Sequence, residues 1–156
     1  MKLLDNELFK RKWKEEHGSI DWVNGLIAGV LGFVAYFLLL LVVLVPFFFI
    51  VPGFDEDITP KPVYLLTSIL DIGVFALVLQ KVVKHISKKS DTPFKTSIVA
   101  CLLILIISLI ILFIDTGIDS TLFERVVDKI VFLIQLFLAN YIPYKMVVRN
   151  KNREVN

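Results

Sequence analysis

The chain has 156 residues, 56 % of them hydrophobic, with a net charge of +2 and a mean hydropathy of +0.76. That apolar excess lies in long blocks, which argues against a soluble domain and for an integral membrane protein of one domain. The single Cys101 excludes an intrachain disulfide, and His17 and His85 have no second ligand at metal spacing, so no metal site, cofactor or enzyme signature is expected.

Residues 1–18 carry Leu4, Leu8, Phe9 and Trp13 near helical spacing among Lys10, Arg11, Lys12 and Lys14. They read as a short amphipathic helix on the cytoplasmic headgroups or as a solvated tail that anchors topology. Charges occupy the place of a signal peptide's apolar core. Gly18-Ser19 breaks the segment, and Ser19 with Asp21 can start the next helix.

The run 22–51 contains no charged residue. Its thirty residues would span ~45 Å as one helix, against a hydrocarbon core of ~30 Å, so it must tilt, protrude or bend, and Pro46 offers a bend. Gly25, Ala28, Gly29 and Gly32 form a small-residue stripe that lets backbones approach, within a subunit or between subunits. The second half, FLLLLVVLVPFFFIV, faces lipid or forms a hydrophobic constriction. The first loop gathers Asp55, Glu56 and Asp57, a candidate acidic vestibule.

The second span, 62–82, holds Asp71, roughly 12 Å below its outer edge. An ionised Asp near a helix centre costs about 2.5–3.5 kcal/mol on insertion scales. Tyr64, Thr67, Ser68 and Asp71 recur at helical spacing and share a face that must look into protein or water. Lys81, Lys84, His85, Lys88 and Lys89 lead into a loop ending at Lys95, a basic face suited to topology, anionic lipid, a cytoplasmic protein or a nucleotide-like ligand.

The third span, 96–114, has Ser108 as the polar residue of its outer half. The fourth, 122–147, keeps Arg125, Asp128 and Lys129 in its first two turns, with Gln135 and Asn140 further in, and residues 149–156 form a basic tail. Depth places Asp71, Ser108 and Lys129 in one outer layer, roughly 9–12 Å below the edge. Asp71 is therefore expected to pair with Lys129 or, second, Arg125. Such a pair is a structural clasp or part of a functional site.

Lysine and arginine number five in the N-terminal tail, five from Lys81 to Lys95 and four in the C-terminal tail, against three in the other two loops. This asymmetry predicts an all-α, four-helix transmembrane bundle (residues 19–148) with both termini cytoplasmic. Four helices, one nearly all apolar, leave little room for an aqueous path within one copy. The expectation is a homo-oligomeric ion channel or pore gated from the cytoplasmic side; the alternative is a non-conducting anchor that docks a cytoplasmic partner.

In helix count, cytoplasmic termini and size, the chain resembles the small four-helix membrane effectors of bacterial antiphage defence, such as the membrane partners of Kiwa and Hailong. The resemblance implies an oligomeric channel or membrane-perturbing pore in a bacterial inner membrane. It rests on layout and transfers no functional residues.

Overall fold

The structure, a computed structural model, describes residues 13, 14, 16, 18–50, 61–115 and 122–154. Among these, the helices are α1 (Trp22–Ile50), α2 (Lys61–Ile86), α3 (Pro93–Asp115) and α4 (Leu122–Glu154). Three stretches are long and apolar enough to cross a membrane: Trp22–Pro46, Lys61–Ile86 and Pro93–Ile110. Asp55, Glu56 and Asp57, and most of the expected amphipathic segment, lie outside the described residues.

Local chemistry sets the helix starts. Asp21 caps α1: its carboxylate accepts the Asn24 backbone N–H at 3.1 Å and the Asn24 side-chain amide at 2.6 Å. α3 begins at Pro93, three residues before its uncharged run, with proline at the first helical position. The next two backbone N–H groups, of Phe94 and Lys95, donate to the Glu16 carboxylate at 2.7 and 3.0 Å. Lys95 Nζ closes the clasp on the Glu16 carbonyl at 2.7 Å, and Gly18 turns the chain at φ 146°, a region open to glycine. A carboxylate from 78 residues away thus caps this helix. Glu16→Gln keeps one acceptor oxygen and loses the charge at the helix N-terminus. It should lower thermal stability by about 1 kcal/mol, read by circular dichroism melting in detergent; an unchanged melt would show the clasp to be idle.

The small-residue stripe packs α1 on α3 within the subunit. A Cβ at Gly25 would sit 3.5 Å from the Thr96 carbonyl, and one at Gly29 would lie 2.8 Å from Leu103 Cδ2 and 3.2 Å from the Ala100 carbonyl. At Gly32 it would lie 2.7 Å from both Ile104 Cδ1 and Val82 Cγ2. Contacts advance together along both helices (25 on 96, 29 on 100, 32 on 104), so α1 and α3 run parallel. Without water between helices in lipid, such close approach supplies much of the association energy.

Backbone atoms cannot yield there. Gly29→Val should therefore destabilise the bundle by about 1–3 kcal/mol. Gly73 has nothing within 4 Å of its added Cβ, and Gly73→Ala should stabilise by up to about 1 kcal/mol through helix propensity alone. Melting both variants against wild type checks the pair, and equal shifts would refute the packing.

Exposure follows the membrane pattern. Val42 and Phe49 on α1 are 70 % and 85 % exposed, whereas Phe75, Leu79, Val83, Cys101, Ile104 and Ala139 are fully buried between helices. A surface as apolar as the core has no place in water and fits acyl chains.

Candidate functional site

Polar side chains at one end of the bundle converge on a cavity of about 220 Å³ between α1, α2, α3 and α4. Asp71 lies ten residues along α2 from Lys61, about 15 Å, near the midpoint of a ~30 Å hydrocarbon core. The Tyr36 hydroxyl of α1 donates to its Oδ1, and the Gln135 amide of α4 donates to Oδ2 at 2.9 Å. Both donors are almost fully buried, each 6 % exposed. The acid is therefore shared by three helices and held by neutral donors.

A second rung lies above it, where the Tyr64 hydroxyl donates to Asp128. The two rungs link residues 64 to 128 and 71 to 135, the same offset of 64 positions. Seven residues make about two helical turns, so α2 and α4 run parallel and in register. α4 occupies the depth of α2 across this whole interval. Thr67, Ser68 and Ser108 also line the cavity. Their hydroxyls are satisfied by their own helices: Thr67 and Ser68 donate to the Tyr64 carbonyl at 2.9 and 2.8 Å, and Ser108 to the Ile104 carbonyl at 2.8 Å. Their oxygens keep lone pairs for a guest.

The expected partners of Asp71 are corrected. Lys129 and Arg125 are exposed and do not line the cavity. Asp128 and Gln135 face α2, and Lys129, one residue on, is rotated by about 100° from Asp128. Two acids, two phenols, three alcohols and one amide thus meet, with no basic side chain in the wall among the described residues. Such a set attracts cations or protons and repels anions.

Sequence reasoning assigned no role to Tyr36 or Gln135, although both leave a trace. Tyr36 continues the spacing of Gly25, Gly29 and Gly32, and so lies on the inward face. Gln135 lies seven residues after Asp128. Directly below Asp71 the packing is apolar: Phe75 sets its ring edge against Tyr36 (5.6 Å between centroids, 84° between planes), and Leu79, Val83, Cys101, Ile104 and Ala139 continue the core. Among the described residues, buried polar side chains recur only at Ser97, Thr96 and Thr92.

Among the other expected site residues, Lys81, Lys84, Lys88 and Lys89 are exposed at the opposite end of the bundle from the cavity, and Gly25, Ala28, Gly29 and Gly32 are buried. No group of metal-ligating side chains occurs among the described residues. Comparison with protein families, curated proteins and solved structures returns no match, so the site is read from its own geometry.

Proposed function

We propose that the protein is a cation- or proton-conducting membrane channel subunit, with an outward vestibule that ends on Asp71 and a dry inner layer that forms its closed gate. The observation that carries this reading is the acid-lined cavity, which has no basic side chain in its wall among the described residues and whose Tyr36 packs against the buried ring of Phe75. Water and hydroxyl oxygens can replace part of a cation's hydration shell there, and the carboxylate supplies the charge. The path lies within one subunit, so assembly into a homo-oligomer would multiply paths, as the layout resemblance to antiphage membrane effectors suggests.

The in-register pairing of α2 with α4 supports a fourth crossing, which returns the C-terminus to the side of the N-terminus. The excess of lysine and arginine on that side makes it the cytoplasm. Single cysteines at Lys88 and Asp57 in a Cys101→Ala background should react with a membrane-impermeant maleimide from the inside and the outside respectively; the reverse pattern would refute this topology. On the cytoplasmic side, the Glu16 clasp ties the N-terminal segment to the start of α3. A partner that pulls on that segment would act on α3, which gives the gate a lever.

A second reading, a non-conducting anchor that docks a cytoplasmic partner, is favoured by the layer beneath Asp71, where Phe75, Leu79, Val83, Cys101 and Ile104 are apolar and fully buried. Flux separates the two. Purified protein in liposomes should carry protons or potassium down an imposed gradient, measured with a pH-sensitive or potassium-sensitive dye. Silence in liposomes, joined to recovery of a stable complex from cells, would favour the anchor.

A further inference from the structure

A second cavity lies at the other end of the bundle. It is a cleft of about 780 Å³ between α1 and α2, apolar along its length and basic at one end. Lys81, His85 and Lys89 stand at that end, four residues apart along one side of α2 and the turn that follows, and no acidic side chain lines the cleft among the described residues. Ala28, Gly32 and Ala35 hollow out α1, and Ile27, Leu31, Leu39 and Leu77 border the cleft with exposed apolar surface. We propose that this cleft binds one anionic phospholipid, with its phosphate among Lys81, His85 and Lys89 and one acyl chain laid along Leu31, Ala35, Leu39 and Leu77.

Three observations select this occupant. The exposed apolar walls meet hydrocarbon, where water cannot fill a groove, so an acyl chain or another protein must. From Asn24 to Leu39 the α1 side of the cleft covers fifteen helical steps, about 22 Å, enough to take a chain through the ~15 Å of one leaflet. The charges gather at the end where a headgroup would lie, and lysines near a membrane surface favour anionic lipid. A second copy of the chain answers them poorly. Copies in one membrane share an orientation, so their lysines would meet at the same depth and repel. The proposal rests on α1 and α2 spanning a bilayer. It does not depend on conduction past Asp71, and its readout is lipid retention rather than flux.

The test uses the full chain in nanodiscs of phosphatidylcholine with a minority of phosphatidylglycerol, followed by native mass spectrometry. Wild type should retain one phosphatidylglycerol, enriched about tenfold over its share of the disc. Lys81→Gln with Lys89→Gln should abolish the enrichment, whereas Lys84→Gln with Lys88→Gln, an equal loss of charge outside the cleft, should keep it. Ala35→Phe changes no charge and should cut retention by filling the chain's path. All these positions are exposed, and circular dichroism melts identify any variant that fails to fold. Equal retention of both lipids, or equal loss in the two lysine pairs, would overturn the proposal. So would a lipid-free dimer that Ala35→Phe dissociates, which would assign the cleft to a second copy.

Discussion

Asp71→Asn should lower cation or proton flux at least tenfold while leaving the bundle folded. The two halves of this expectation have separate causes. Asparagine keeps an oxygen for the Tyr36 hydroxyl, and the Gln135 amide can turn to offer its own oxygen to the new N–H₂, so both hydrogen bonds survive in altered form. What is lost is the charge. A unit charge acting on a cation at about 4 Å is worth ~4 kcal/mol at an effective dielectric of 20, and even a third of that is tenfold. Asp71→Leu behaves differently, because it strands the buried hydroxyl of Tyr36 and the amide of Gln135. Each stranded donor costs about 1–3 kcal/mol, so this variant should melt earlier as well as conduct less. Flux at matched protein content, with melts in the same detergent, measures both. An Asp71→Asn protein that conducts like wild type would remove the carboxylate from the mechanism and leave it as a helix clasp.

The structure shows which parts of this arrangement a sequence can disclose. Helix identity was open to reading because apolar length is a local property: the runs at 22–51, 62–82 and 96–114 correspond to α1, α2 and α3, shifted by a few residues at their ends. The inward face of α1 was also visible, since Gly25, Gly29 and Gly32 repeat at helical spacing. The partner of Asp71 was not. Depth alone placed Lys129 beside it, but depth ignores rotation about the helix axis, and Coulomb attraction made a cation the natural guess. Rotation is decided by which face of α4 packs on α2, a contact between segments 64 residues apart. The early start of α3 was hidden for the same reason. Its cap is Glu16, and nothing near Pro93 announces a carboxylate arriving from another part of the chain.

Phe75→Ala should raise basal flux and lower stability together, and the size of each change identifies the gate. The ring is fully buried one turn below Asp71 and packs edge-on against Tyr36, which lines the polar cavity. Truncating a buried phenylalanine costs about 3–5 kcal/mol in soluble cores through lost contacts and the void left behind. A bilayer should soften that loss, since lipid is as apolar as the side chain removed. The void would join the cavity above and carry water about one turn, ~5.4 Å, further inward. Leu79 and Val83 then remain as the barrier, both fully buried on the same helix. Phe75→Ala should therefore raise flux severalfold, and adding Leu79→Ala should raise it again by a larger factor, because a dry layer fails once its last ring can be wetted. Chloride should stay excluded in both, since Asp71 and Asp128 are untouched. Lower melting temperature with unchanged flux in the double variant would show that the barrier does not lie beneath Asp71, and the vestibule would then be a pocket without a passage.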